Sequence, residues 1–537
     1  MNIQIYDIRV PFEHTEKEIL LALADMTGMS PEEIGAFRIV RRSLDARGRR
    51  PPSWLYSVRF AVSREPAFIK ETGKEVKYKI VGDETPPEFP AIPALKKRTV
   101  KRPVVVGCGP AGLFGAYALA SSGVPVLLLE KGREIDMRRR DVETFWGKGL
   151  LDPDSNVHFG EGGAGTFSDG KLTTRVRSGL LDLIKKVLVD FGAPPEILYD
   201  AKPHIGTDRL RDVVGNFRRG LAAMGCEIRF GAKVTGILAP RSRVEGLVVN
   251  GTEEISADRL MLAAGQSSPE IYSILEEIGA GLEPKAFAMG VRVEHPQELI
   301  NRIQYGPWSG LQGLPPADYF LAASPDGLGR GVYSFCMCPG GCVIASSSEE
   351  GGIVTNGMSL YRRSGIYANS AVVVNVRPDD FGNPSPLGGI AFRRLWEKRA
   401  FAAAGGGYRA PAQGLLEFLR DEYSGRVDPT SYRPGVSPVP LRDVLPPFIT
   451  DALKQGLLRF GEKMPGFISR EANLIGVETR TSSPVRIARR EDGRSRNIEG
   501  LYPCGEGSGY AGGIMSSALD GLRAAEGILK SLQGVGR

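Results

Sequence analysis

The sequence predicts an α/β fold: a Rossmann-type domain, an α+β domain inserted into it, and a small α+β module in front. Three observations carry this. The stretch VVVGCGPAGLFGAYALASSGVPVLLLEK (104–131) reads as strand, Gly-rich turn, helix and strand. About two hundred residues after it, 271–475, separate that unit from a second strand, Gly-rich turn and helix, GLYPCGEGSGYAGGIMSSALDG (500–521). Residues 1–90 read as strand, helix, strand, strand.

In the N-terminal module, IQIYDIRV is strand-like. Thr15 with Glu18 makes a capping box for a helix running to about Met26, and Ser30-Pro31-Glu32-Glu33 starts a short second helix. FRIVRRSLDARGRRPPSWLYSVRFAV then reads as a hairpin whose second arm alternates Trp54, Tyr56, Val58 and Phe60. The order suggests a ferredoxin-like shape without the cysteine spacing of an iron–sulfur protein. TPPEFPAIPALKKRTVKRP (85–103), rich in Pro and then basic, reads as a linker, with 91–103 as its span between domains. The flavin domain is expected at 104–270 and 476–537, the substrate domain at 271–475.

Bulk numbers narrow the class. A chain of 537 residues with 42% hydrophobic and 24% charged content is that of a globular protein of several domains. No apolar run spans a bilayer, and MNIQIYDIRV lacks the basic and apolar regions of a secretory signal. Six cysteines in so long a chain form no disulfide framework, which suggests a cytoplasmic protein. The net charge of +7 suits anionic small molecules as well as nucleic acid. Its densest clusters are KKRTVKR (96–102) in the linker and RRR (138–140), expected on a helix face.

The first Gly-rich turn has every part of a dinucleotide site. Gly107 permits the tight turn, Gly109 lets a pyrophosphate approach the backbone, and Gly112 lets helix and strand pack closely. The helix start supplies N–H donors, and Glu130 can accept from both ribose hydroxyls. Cys108 reads as a small residue that fits the turn.

Three features favour FAD over NAD. CEIRFGAKVTGI (226–237) is a strand–turn–strand that flavoproteins place over adenine. RLMLAAGQ (259–266) is an apolar strand returning to the nucleotide. In the turn at 505–513, Glu506 stands where glutathione-reductase-type flavoproteins carry an acid for the ribityl chain. The helix start after that turn would stabilise charge on the reduced ring. NVHFGEGGAGTFSDGKLTTR (156–175) adds glycines for close approach and donors at Thr166, Ser168 and Lys171. The expected cofactor-binding set is therefore Gly107, Gly109, Pro110, Ala111 and Gly112, then Glu130 and Lys131. It continues with Gly162, Gly163, Gly165, Thr166, Ser168 and Lys171, then Val234 and Gly265, and ends with Gly505, Glu506, Gly512, Gly513 and Ile514.

Several long strings, among them SLDAR (43–47), GGAGTFSDGKL (162–172), KPHIGTD (202–208), GVRVEHPQ (290–297), FCMCPGG (335–341), TNGMS (355–359), ANSAVVV (368–374), YRAPAQ (408–413), ETRTSSPVR (478–486) and GEGSGYAGGIM (505–515), carry a resemblance. Through them the chain resembles a bacterial and archaeal family of FAD-dependent dehydrogenases. Its broader group contains fumarate reductases, geranylgeranyl reductases and aromatic hydroxylases. The resemblance implies FAD binding and an oxidoreductase fold, and names no substrate. Two departures stand out. GQSSPE (265–270) replaces an expected Gly-His-Ser-Ala-Arg-Asp, and Cys342 is an extra cysteine after Pro-Gly-Gly.

No second GxGxxG unit occurs in 271–475, so NADPH or NADH as hydride donor would bind without its own Rossmann domain. Half of the cysteines, Cys336, Cys338 and Cys342, fall within seven positions. A metal wants four ligands at recognisable spacing, and a Cys336–Cys338 redox pair needs a permissive turn. Buried packing beside the flavin is the leading reading, and no metal is expected. His204 and His295 read first as structural hydrogen-bonding residues. Arg480 and Arg486 could bind an anion or sit in internal ion pairs. Cys336, Cys338, His295 and Arg480 are the catalytic candidates.

The function expected is a FAD-dependent oxidoreductase acting on a small molecule, with no membrane and no nucleic-acid partner, and with the oligomeric state open. The rival readings are a flavin-dependent RNA-modifying enzyme and a non-catalytic flavoprotein that docks a partner protein.

Overall fold

The computed structural model describes residues 1–46, 50–62, 76–82, 101–325, 327 and 329–533. Its N-terminal sheet runs in the order Phe37–Asp45, Ser53–Ala61, Asn2–Pro11, Tyr78–Val81, antiparallel at every pairing. Ile3 and Ile5 of the first strand and Tyr56, Val58 and Phe60 of the hairpin bury one face, with Leu23 of helix Glu16–Thr27 over them. Trp54 is only half-buried, at the rim of that core. The expected capping box forms, with the Thr15 N–H donating to Glu18 at 2.6 Å, and the second helix has one too, with the Ser30 N–H donating to Glu33 at 2.8 Å. Residues 91–100 of the expected linker lie outside the described residues.

One arginine docks this module on the rest of the chain. Arg42 grips the Asp200 carboxylate through Nε (2.8 Å) and Nη2 (3.1 Å), and its backbone N–H donates to the Tyr199 carbonyl at 2.8 Å. Its guanidinium also lies 5.1 Å from the ring centres of Trp54 and Tyr199. Two-point carboxylate recognition with aromatic stacking is chemistry that lysine cannot reproduce.

The central sheet is parallel, in the order Leu501–Pro503, Leu260–Leu262, Val104–Val106, Leu127–Leu129, Glu227–Arg229. Three of these strands read VVV, LLL and LML and are fully buried, as strands covered on both faces must be. The helix Pro110–Ser121 follows the first strand, and helix Ile514–Leu532 packs beside it. A side chain at Gly112 would put its Cβ 1.8 Å from the Gly107 carbonyl oxygen, so only glycine lets this helix approach the turn. Distant segments, 104–129, 260–262 and 501–503, thus meet in one sheet.

The second large sheet has eight strands. Val332–Ala345, Tyr367–Val376 and Phe287–Pro296 form its antiparallel centre, with Asn473–Glu478 next to Phe287–Pro296. Thr355–Ser359 pairs with the far part of Val332–Ala345. Asn473–Glu478 straddles the domain boundary expected at 475/476. The sheet therefore continues past that point, with Leu474, Ile475 and Val477 of the strand packed in its core. The two halves share hydrophobic packing: Phe145, Trp146 and Phe167 join the core of the second sheet, and Trp146 Nε1 donates to the Ala345 carbonyl at 2.8 Å. Among the described residues no helix is long and apolar enough to cross a membrane.

The basic run 138–140 is not a uniformly solvated face. Arg139 and Arg140 are exposed, but Arg138, in helix Ile135–Lys148, is fully buried. Its guanidinium donates to the carbonyls of Asn156 (2.8 Å), Val157 (2.8 Å), Gly160 (3.3 Å), Glu161 (2.6 Å) and Gly163 (3.0 Å). Burial lowers its pKa to about 10, which leaves it protonated at neutral pH. A loop without sheet or helix needs partners for its carbonyls, and this side chain supplies them.

Replacing Arg138 by Ala should therefore cost about 3 kcal/mol or more of stability in urea unfolding, because it strands buried carbonyls. Replacing the exposed Arg139 by Ala should change stability by under about 0.5 kcal/mol.

Candidate functional site

A cavity of about 380 Å³ opens at the carboxyl ends of the parallel strands, where open α/β sheets bind ligands. Gly107, Gly109, Pro110 and Ala111 form one wall, with Glu130 and Lys131 beside them. Gly107 takes φ +103°, as a turn this tight requires. Val234 and Gly265 line the same end, with Gly265 three residues past the end of strand Leu260–Leu262.

Glu130 is buried and already engaged. Its Oε2 accepts from Cys108 N–H at 2.8 Å, and its Oε1 accepts from Gly132 and Gly160 N–H, both at 2.9 Å. A carboxylate offers about four acceptor positions, so about one remains for a ligand hydroxyl. Lys131 ion-pairs with Glu270 at 2.8 Å and lies 3.4 Å from the Phe159 ring centre. Cys108 is buried in the turn, as a small residue should be.

Gly163, Gly165, Ser168 and Lys171 line the middle of the cavity. Ser168 Oγ donates to the Gly165 carbonyl at 2.6 Å and accepts from Gly170 N–H at 3.0 Å, so it braces the loop. Thr166 does not reach the cavity: it is buried, with its hydroxyl 3.5 Å from the Glu161 carbonyl. Gly162 and Gly112 likewise stand behind the wall, where they serve close backbone packing.

At the other end, Gly505, Glu506, Gly512, Gly513 and Ile514 bring the second Gly-rich turn and the start of helix Ile514–Leu532 to the cavity. Glu506 accepts from Gln266 Nε2 at 3.0 Å. Burial raises its carboxyl to about 7. Gln266 is in turn held by the fully buried Arg393, whose Nη2 donates to the Gln266 carbonyl at 2.8 Å. Sequence reasoning missed Arg393, because nothing in its helix, Gly388–Ala403, distinguishes an inward arginine from a solvated one.

The second sheet closes this end with Phe335, Cys336, Asn356, Glu478, Arg480 and Thr481. Glu478, also missed as a site residue, lies in a string singled out for other reasons. Burial raises its carboxyl to about 7 against the pull of Arg292, whose Nη1 is 2.9 Å away. Arg480 reaches the cavity wall, but its guanidinium is in the buried ion pair with Glu397 (2.9 Å), and Glu349 lies 3.2 Å away. That settles its charge internally. Arg486 lies outside the cavity wall, 5.3 Å from the Tyr510 ring centre.

The three cysteines separate. All lie on strand Val332–Ala345. Cys336 lines the cavity, with φ +48° at a β-bulge. Cys338 is fully buried behind it and absent from the cavity wall. Cys342 packs against the apolar core of the second sheet. Among the described residues no three His, Cys, Asp or Glu side chains are grouped to hold a metal. Of the three, Cys336 alone lines the cavity, and Cys338 and Cys342 are packed away from it.

His295 is not in the cavity. It is fully buried on strand Phe287–Pro296, and its Nε2 donates to the Phe467 carbonyl at 2.8 Å, which leaves no route to a substrate. His204 is similar, with Nε2 at 2.9 Å from the Tyr361 carbonyl. The histidine that does line the cavity is His158. Burial and the nearby Arg480, Arg393 and Arg138 push its pKa well down.

Comparison with known proteins decides the cofactor class. A family described as "FAD-dependent protein, C-terminal domain-like" matches residues 286–481, and a domain of unknown function (DUF8436) matches 2–61. A protein of Clostridium beijerinckii (strain ATCC 51743 / NCIMB 8052), called an uncharacterized protein, is 42% identical over 533 residues, 99% of each chain. The chain belongs to that protein's family. Its 286–481 region is that of a FAD-dependent protein, so the flavoprotein expected from the sequence stands. Glycerol-3-phosphate dehydrogenase from Bacillus halodurans, solved with FAD, is 11% identical over 82% of this chain and 66% of its own, at a TM-score of 0.36. A geranylgeranyl bacteriochlorophyll reductase-like protein from Thermoplasma acidophilum is 13% identical over 81% and 79%, also at 0.36. At such scores these likenesses carry no argument.

Burial lowers the His295 pKa from 6.5 to about 4. The unfolded chain therefore binds the extra proton first as pH falls, and stability present above pH 6.5 is lost toward pH 4. In the flavoprotein, His295→Gln should flatten that acid limb of unfolding free energy against pH by about 3 kcal/mol.

Proposed function

We propose that this flavoprotein is an oxidoreductase that moves hydride between FAD and a small-molecule substrate. The observation that carries this is the continuity of the cavity. One end is the Gly107–Gly112 turn with Glu130, and the other is walled by Cys336 and Glu478 of a separate sheet. A dinucleotide whose phosphates sit at the turn extends toward that second wall.

The residues present fit FAD. At Gly109 a Cβ would meet only the Gly163 Cα, at 3.8 Å, and at Gly512 and Gly513 it would meet nothing within 4 Å, so each glycine leaves open space beside the cavity. Glu130 has an acceptor position left for the adenosine ribose, with Val234 beside the adenine. Pro110, Ala111 and the turn backbone would hold the pyrophosphate, with Gly163, Gly165 and Lys171 across from them. Glu506, held by Gln266, would take a ribityl hydroxyl. The helix start at Gly513–Ile514 aims its N–H groups and dipole at negative charge on the pyrimidine edge. When bound, FAD supplies the two-electron carrier.

The wider architecture follows the same reading. The second sheet forms the substrate domain, inserted between the flavin-binding segments. The N-terminal sheet, with its first and third strands at the centre and antiparallel throughout, supports a ferredoxin-like module. A cytoplasmic location and NADPH or NADH as donor belong to this proposal.

Gly109→Ala tests the site, because the fold accommodates that methyl and a pyrophosphate does not. FAD affinity, read by flavin fluorescence quenching, should fall roughly tenfold or more, about 1.4 kcal/mol, with the melting temperature of the flavin-free protein unchanged. Anaerobic titration with NADPH, then NADH, tests the reaction class. Bleaching of the flavin spectrum supports a nicotinamide-driven reductase. A flavin that no donor or candidate substrate reduces would contradict the oxidoreductase reading and favour a docking role, and co-purifying RNA would favour the RNA-modifying one.

A further inference from the structure

Cys336 is the one thiol that lines the cavity, among the described residues. Its setting is built. The strand pairing shifts register between Phe335 and Cys338, so Cys336 leaves the regular ladder. A β-bulge commonly re-aims a side chain, and this one occupies the left-handed region at φ +48°, unusual for a residue with a Cβ. Strain of this kind persists where surrounding contacts impose it. Here the buried Arg292 does so: its Nη2 donates to the Cys336 carbonyl at 2.7 Å and lies 3.8 Å from the Cys338 sulfur. The same guanidinium is fixed by Asn369 at 2.8 Å and Glu478 at 2.9 Å.

The charged groups that act on Cys336 come from several elements. Lys171 and Asp169 face Cys336 from the loop below. Arg292 and Glu478 act on it from strands Phe287–Pro296 and Asn473–Glu478, and Glu506 from the Gly-rich turn. Cys338, on its own strand, places its thiol beside Cys336 and donates to the Cys336 carbonyl at 3.4 Å. The neighbouring Cys338 thiol, with Lys171 and Arg292, lowers the Cys336 thiol to about 6 against burial, while Cys336 and burial raise Cys338.

We propose that Cys336 is a catalytic acid–base thiol of this flavoprotein and that Cys338 is the positioning thiol beside it, which donates to the Cys336 carbonyl. The inference rests on the oxidoreductase reading above and deepens it. Oxidation of a substrate removes a hydride, with its electron pair, from one carbon to the oxidised cofactor. The proton on the neighbouring carbon or oxygen goes to the Cys336 thiolate, a double bond forms, and the thiolate becomes a thiol. Reduction runs the same step backwards. The substrate class is therefore a small molecule in which a C–H bond adjoins an acidic C–H or O–H.

The test needs no substrate. In the FAD-loaded protein, a thiolate against the oxidised ring produces a broad long-wavelength charge-transfer absorbance. This should appear as pH rises from about 5 to 9, with a midpoint well below the ordinary thiol value of about 8.5. Cys336→Ser should abolish it while retaining FAD. Cys338→Ala should raise the midpoint by at least about one unit, a roughly tenfold loss of thiolate near neutrality. Cys338→Ser keeps a donor and should restore most of the shift, which a merely structural role for Cys338 would not predict. A FAD-loaded protein with no such band, or with a midpoint near 8.5, overturns the proposal. So does an anaerobic dithionite titration that consumes about four electrons per flavin instead of about two, because that makes Cys336 and Cys338 a redox disulfide. Failure to take up FAD at all would instead sink the flavoprotein oxidoreductase reading, so the two failures are distinct.

Discussion

The loop 156–163 has neither sheet nor helix to satisfy its backbone; a buried guanidinium takes most of its carbonyls, and a buried carboxylate ties the Gly160 N–H to the neighbouring turns. Arg138 collects five carbonyls, and Glu130 accepts the N–H groups of Cys108, Gly132 and Gly160. Backbone polar groups taken from water must find partners, and in a low-dielectric interior charge-assisted bonds are the strong ones. The cavity depends on this. Glu130 is oriented at the strand end, Gly163 is set against Gly109, and Gly165 against Ile514, so both Gly-rich turns face one space.

A second node governs the far wall. Arg292 ties together strands Phe287–Pro296, Val332–Ala345, Tyr367–Val376 and Asn473–Glu478 through Cys336, Asn369 and Glu478. Removing one partner from such a buried set leaves an uncompensated charge, so the node is fixed as a unit. It also gives the cavity its chemistry. The same guanidinium that holds the bulge lowers the Cys336 thiol and opposes burial at Glu478. Rigid packing between the two halves, with Trp146 bonded to Ala345, keeps this wall in register with the turns opposite.

What was legible in the sequence was local. The GxGxxG turn, the strand 260–262 and the Gly505–Gly513 turn are each short-range patterns in which glycine, apolar runs and an acid follow at fixed offsets, and the structure brings all three to one cavity. The hairpin and the Thr15–Glu18 capping box of the N-terminal module are of the same kind. What could not be read was long-range. Arg138 looks like its exposed neighbours Arg139 and Arg140, because the carbonyls that bury it come from a later loop. Thr166 and Ser168 are two residues apart in one Gly-rich segment, yet a short 3₁₀ turn, Ala164–Phe167, turns Thr166 inward. Cys336 and Cys338 would share a face on a regular strand, and only the bulge separates their exposure.

A crystal structure of the flavin-loaded protein tests the central claim most directly. The predicted result has the adenosine phosphates at Gly107–Gly112, the ribose on Glu130, and the isoalloxazine ring between the Gly513 helix start and Cys336. A nucleotide bound in the opposite direction, or a flavin lodged outside this cavity, would contradict it.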